Sequence, residues 1–220
     1  MLLAYHVVAR PLAKYIFWRF GARAEGVENI PRTGPVILAG KHQSEFDAVL
    51  VVAAVPRRVR MMIKADEDAW KRELLRLLVD TFTIKRNHSD TNAMKMALRI
   101  VGSGEALCVF PEAHRSRLLI GFHHGISTLA RRSGGVPLVP FAITGSDQLS
   151  VGTVVRNLHR GIQTEDPPTI RFGKPFTLPA ANNRRSKDQR QADTDLIRGK
   201  VMELMPTELI GEDTLYIGGN

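Results

Sequence analysis

Apolar residues along the chain fall into short continuous runs that alternate with stretches of helical spacing. Residues 36–39 (Val-Ile-Leu-Ala) form an unbroken apolar run that stops at Gly40, and 47–55 is almost wholly apolar, as in a buried helix. Residues 59–63 are strand-like, and 68–79 places Trp70, Leu74, Leu75 and Leu78 at helical spacing. Residues 81–84 are rich in β-formers, and Met94, Ala97, Leu98 and Val101 repeat as i, i+3, i+4, i+7 behind a cap at Ser89 or Asp90, with Gly102 and Gly104 as the stop. Strands are predicted at 106–110, at 136–144 despite its prolines, and at 169–172, with a helix over 125–132. The polar segment 181–193 is predicted as a mobile surface loop, followed by a last helix over 194–205 that Pro206 ends. Alternating strands and helices predict an α/β domain with a largely parallel central sheet flanked by helices.

The first twenty residues follow another pattern. They are apolar and aromatic, but Arg10, Lys14 and Arg19 interrupt them. A spanning helix needs about 20 mostly apolar residues, and charge near the bilayer centre is costly. A cleavable leader places its charges before the apolar run, whereas here they follow it. The pattern fits an N-terminal amphipathic helix in the membrane interface, with Pro11 starting or kinking its second half; a helix packed on the domain is the alternative. The expected division is a membrane-interface helix over 1–25 and a single domain over 26–220.

Composition adds little beyond charge. With 44% apolar and 24% charged residues, the 220-residue chain is an ordinary folded protein. Its single cysteine, Cys108, excludes an intramolecular disulfide and a cysteine-based zinc site, and lies in an apolar run that reads as core. Thirty-one Lys and Arg against 22 Asp and Glu leave a net charge of +9, which suits a polyanion, either nucleic acid or an anionic membrane surface.

Two polar breaks carry candidate chemistry. In Lys41-His42-Gln43-Ser44-Glu45-Phe46-Asp47, a strand gives way to a helix. Residues five apart on one helix diverge by about 140°, so His42 and Asp47 meet only if the chain bends between them. Ser44-x-x-Asp47 resembles a capping box with Ser44 as N-cap and Asp47 at N3, which supplies such a bend. Asp47 then either caps the helix or fixes the tautomer of a general base at His42. The second break, Phe110-Pro111-Glu112-Ala113-His114-Arg115-Ser116, also follows a strand, where ligands of open α/β sheets bind. Arg115 there suits bidentate contact with phosphate, or pairs with a carboxylate on the surface.

Together these blocks resemble the NHxxxxD and FPEGTRS motifs of the 1-acylglycerol-3-phosphate acyltransferase family, within the glycerolipid acyltransferase superfamily. Gly26 to Pro31, Gly34 to Leu38, the strand ending in Arg86, Phe122-His123-His124-Gly125 and Val136 to Phe141 resemble further blocks of that family in the same order. Lys41 stands where the family carries Asn, and Ala113-His114 where it carries Gly-Thr. The resemblance implies transfer of a fatty-acyl group from acyl-CoA or acyl carrier protein to the free hydroxyl of a lysophospholipid, with 1-acylglycerol-3-phosphate as the leading acceptor. His42 and Asp47 would be catalytic, and Lys85, Arg86, Glu112, Arg115 and Ser116 would contact the acceptor. No cofactor or metal is expected, no nucleic acid, and the location is the cytoplasmic face of a membrane, peripheral or monotopic.

The rivals are weaker. A serine hydrolase using Ser44 or Ser116 lacks the Gly-x-Ser-x-Gly elbow. His114, His123 and His124 match no metal-ligand spacing. A nucleic-acid binder would explain the charge but has no recognisable module, and a lipid binder without catalysis would have no use for His42 and Asp47.

Overall fold

The structure, a computed structural model, describes residues 5–64, 80–84, 91–112, 115–119, 121–158, 166–181 and 186–210. A π-helical turn, Tyr5–Ala9, runs into α1 (Arg10–Arg19), and then come β1 (Arg23–Glu25), β2 (Val36–Gly40), α2 (Asp47–Ala54), β3 (Val59–Lys64) and β4 (Asp80–Ile84). After them follow α3 (Thr91–Gly102), β5 (Ala106–Val109), α4 (Gly125–Arg132), β6 (Leu138–Thr144), α5 (Val151–Asn157), β7 (Thr169–Phe172) and α6 (Lys187–Met202). The seven strands form one sheet in the order β1-β7-β6-β2-β5-β3-β4. From β6 to β4 the pairings are parallel, β7 runs antiparallel to β6, and β1 is parallel to β7. The expected largely parallel sheet flanked by helices is therefore what the chain forms.

Strand periodicity explains why β2 reads as a continuous apolar run. Val36 and Leu38 pack on one face with α1 and α2, while Ile37 and Ala39 pack on the other with α3, α4 and α6. A strand covered on both sides buries every side chain, and all of β2 is buried. Pro140 is accommodated inside β6 because it lies opposite Gly173, just past the end of β7.

Three predictions change. The segment 181–193 is not a loop throughout, since α6 begins at Lys187. Ser186 and Gln189 form a reciprocal capping box, and buried Asp193 pairs with Arg131 of α4, which offsets the polarity of this first half. Helix α2 starts at Asp47, not after an N-cap at Ser44. The chain first makes a turn in which the Asp47 N–H donates to the Ser44 carbonyl at 3.2 Å and the Phe46 N–H to Ser44 Oγ at 3.1 Å. Finally, β1 and α5 are elements that periodicity did not indicate. The helix expected over 68–79 and the caps Ser89 and Asp90 lie outside the described residues.

The N-terminal helix is packed on the domain and also apolar on its outside. Ala9, Ala13, Ile16 and Phe20 are buried against the core that includes α2. Leu12, Tyr15 and Trp18 lie off this buried arc, as do Val7 and Val8 of the π-helical turn, and all five are exposed, Trp18 by 70%. Arg10 is tied to the end of α2 through the Val55 carbonyl at 3.0 Å, and Pro11 stands where the π-helical turn passes into α1. Arg19 donates to the Leu158 carbonyl at 3.1 Å and lies over the Trp18 ring. Among the described residues no helix is long and apolar enough to cross a membrane.

Candidate active site

Topology brings the two polar breaks together. Strands β2 and β5 are parallel neighbours with Ala39 opposite Val109, so the residues after them leave at the same edge. Helix α2, after β2, packs on one face of the sheet, and α4, after β5, packs on the other. Adjacent strands whose following helices part in this way open a crevice at their carboxyl ends. On the other side of β2, Gly40 pairs with Phe141, which delivers the end of β6 to the same place. Gly40 is required there: a Cβ would lie 2.4 Å from the Phe141 carbonyl oxygen.

His42 and Asp47 meet. His42 Nδ1 lies 2.8 Å from Asp47 Oδ2. The same oxygen accepts the N–H groups of Gln43 at 2.5 Å and Ser44 at 2.9 Å, and Oδ1 accepts Ser146 Oγ at 2.7 Å. One fully buried carboxylate thus holds the turn before α2 and contacts the imidazole. An ionised carboxylate only accepts, which assigns the ring proton to Nδ1 and leaves Nε2 able to accept one. The His42 ring keeps 17% of its surface exposed and stacks on Phe110, centroids 4.2 Å apart and planes at 22°. Phe110 meets Phe141 edge-on, so the imidazole is backed by aromatic packing.

Of the acceptor contacts implied by the sequence, Glu112 faces inward. It is 7% exposed; its Oε2 accepts the His42 N–H at 3.0 Å and pairs with Lys41 Nζ at 3.1 Å. Ser116 holds His42 through its main chain, donating its N–H to the His42 carbonyl at 3.0 Å. Arg115 is partly exposed at the rim and pairs with Glu45 at 3.2 Å. Lys85, Arg86, Ala113 and His114 lie outside the described residues, although parallel β4 ends at Ile84 on the same edge. Among the described residues no three His, Cys, Asp or Glu side chains are grouped as a metal site requires. Cys108 is buried in β5, where burial first and the Asp47 charge second push its thiol pKa far up, so it offers no nucleophile.

Ser146, absent from the sequence reading, supplies the donor to Asp47 Oδ1 from 99 positions away. Its signal was only its place after β6, behind Gly145, whose φ of +70° turns the chain. Ser146→Ala leaves that buried oxygen without this donor and should cost about 1–3 kcal/mol of stability. For a chain of this size that is a fall in Tm of several degrees, read by thermal melting, with kcat reduced because Asp47 is less firmly held.

The comparisons agree with this geometry. The model of the family described as Acyltransferase matches residues 21–144, more than half of the chain. A 1-acyl-sn-glycerol-3-phosphate acyltransferase of Bacillus subtilis (strain 168) is 25% identical over 144 residues, covering 64% of this chain and 71% of that protein. A Mycoplasma pneumoniae protein named as a probable enzyme of the same kind is 29% identical over 128 residues, covering 54% of this chain but only 47% of its own length. In fold, the chain is similar to the crystal structure of the 1-acyl-sn-glycerophosphate (LPA) acyltransferase PlsC from Thermotoga maritima, with TM-score 0.59 and 21% identity over 90% of this chain and 80% of that one. By the family match over residues 21–144, and with His42 and Asp47 joined at the crevice, the chain belongs to the acyltransferase family.

Proposed function

We propose that this acyltransferase moves a fatty-acyl group from a thioester, acyl-CoA or acyl carrier protein, to the free hydroxyl of a lysophospholipid at a membrane surface, with 1-acylglycerol-3-phosphate as the preferred acceptor. The contact of His42 Nδ1 with buried Asp47 carries the reading. His42 Nε2 takes the hydroxyl proton as the acceptor oxygen attacks the thioester carbonyl. The tetrahedral centre collapses, the carbon–sulfur bond breaks, and the imidazolium returns the proton to the leaving thiolate. Asp47 stabilises the imidazolium while it lasts. A positioned base of this kind contributes about 10²–10⁴ in rate. The relatives named as 1-acyl-sn-glycerol-3-phosphate acyltransferases favour that acceptor. A panel of lysophospholipids offered with each thioester tests the assignment, and no transfer to any of them would end it.

Arg115 is the described candidate for the acceptor's phosphate. Its pair with Glu45 is partly exposed and worth about 0–1 kcal/mol, so a phosphate gripped bidentately can displace the carboxylate. Arg115→Lys keeps the charge but loses the planar fork. The acceptor KM should rise about tenfold or more while the thioester KM stays nearly fixed. If both KM values move together, Arg115 serves the donor or the loop instead.

A further inference from the structure

Lys41 is the residue of the first block that departs from the family pattern, and it is fully buried. Its Nζ donates to Glu112 Oε2 at 3.1 Å, to the His42 carbonyl at 3.3 Å and to the Ser116 carbonyl. Burial pulls the Lys41 pKa below its ordinary value, and the Glu112 charge opposes that pull. An ammonium this deep is costly, and a buried ion pair is seldom more stabilising than an apolar pair of the same volume. Stability is therefore a poor reason for its presence.

Its surroundings suggest another. Both main-chain polar groups of His42 are committed to the second block, the N–H to Glu112 Oε2 at 3.0 Å and the carbonyl to the Ser116 N–H at 3.0 Å, and the carbonyl also accepts from Lys41 Nζ. Lys41 Nζ donates at once to the Glu112 carboxylate, the His42 carbonyl and the Ser116 carbonyl. Asp47 and Phe110 touch His42 only at its ring, Asp47 holding the main chain at Gln43 and Ser44 instead.

The geometry points to Lys41 and Glu112 as positioning residues for the reaction, a charged strap that holds the main chain of His42 so that its ring meets Asp47 and the acceptor together. Glu112 acts here through His42 and not on the headgroup. This rests on His42 being the base, and it goes further by assigning Lys41, which the family pattern leaves as an unexplained departure. Misplacing a reacting group by about 1 Å costs on the order of 100-fold in rate, so a strap on the main chain has a measurable kinetic effect.

The test compares two double variants with His42→Ala as a control. Lys41→Met/Glu112→Leu removes both charges and replaces them with apolar groups of similar size, so it should melt within several degrees of the wild type. Its kcat should fall about 10- to 100-fold with both KM values within about twofold of wild type. Lys41→Met/Glu112→Gln restores an oxygen that accepts the His42 N–H but not the ammonium's bonds to the His42 and Ser116 carbonyls, and should recover only part of that loss. A folded Met/Leu variant with wild-type kcat overturns the strap, and so does an acceptor KM raised with kcat kept, which would return Glu112 to the headgroup. If the Met/Leu variant does not fold, Glu112→Gln alone decides, because it strips Lys41 of its counter-ion: lower kcat at unchanged KM supports the strap, and unchanged kcat overturns it. Full activity in His42→Ala would instead remove the reading beneath the proposal, an outcome distinct from failure of the strap.

Discussion

His42→Ala should fold as the wild type does and lose acyl transfer by about two to four orders of magnitude, the usual worth of a positioned base. The fold should survive because the imidazole is partly exposed and its main-chain bonds to Glu112 and Ser116 do not involve the ring. What disappears is the proton acceptor at Nε2, together with the packing on Phe110. Asp47 keeps Gln43, Ser44 and Ser146 as donors, so its burial remains satisfied. Purified variant and wild type are compared at saturating acceptor and thioester, with far-ultraviolet circular dichroism as the control for folding. Undiminished kcat in the folded variant would falsify the assignment of the base.

The second large effect concerns the exposed apolar residues of the π-helical turn and α1. Replacing Val8, Leu12, Tyr15 and Trp18 each by Ser should lower partition onto anionic vesicles at least about 100-fold. Full burial of side chains of this kind is worth about 1.5–3 kcal/mol each, and even half of that over four residues exceeds the 2.7 kcal/mol or so that a 100-fold change requires. Arg10, Lys14 and Arg19 add about 1 kcal/mol each near an anionic surface, and this part is screened by salt. Raising salt on the intact protein should therefore weaken binding only in part. Deleting residues 1–20 is the wrong probe, because it would also remove Ala9, Ala13, Ile16 and Phe20 from the core. Vesicle sedimentation of the folded four-site variant is the measurement, and binding equal to wild type would place the membrane contact elsewhere.

The parts of the fold legible in the sequence were those whose signal is local. Residues 36–39 and 47–55 show as apolar runs because both faces of β2 and nearly all of α2 are buried. Thr91–Gly102 shows through its helical period. By contrast, Arg-Ala-Glu in β1 has no strand pattern of its own and is a strand only because β7 pairs with it. Helix α5 is hidden by Gly152 and its valines, poor helix formers that a cap at Ser150 and its surroundings override. The start of α6 was readable in principle, since Ser186-x-x-Gln189 is a capping signal, but the density of charge around it suggested a loop.

The site divides in the same way. His42, Asp47, Glu112 and Arg115 are visible as ordered blocks, and the bend that joins the first two follows from a five-residue spacing that no straight helix could close. Who holds Asp47 is not visible, because Ser146 lies just beyond β6, 99 positions away. Nor is the direction in which Glu112 faces, since the same letters would serve a residue turned toward a headgroup or one turned toward Lys41.

The pairing of β1 with β7 also bears on how the chain folds. Arg23 lies opposite Thr169, so β1 has its partner almost 150 residues downstream. At the usual pace of synthesis, about 5–20 residues per second, β1 waits on the order of ten seconds for that partner. Helix α1 has no such delay, because α2, against which it packs, is complete by Ala54. An early helical pair next to a late strand is the expected order of events, and pulse-labelled hydrogen exchange during refolding should show α1 and α2 protected before β1.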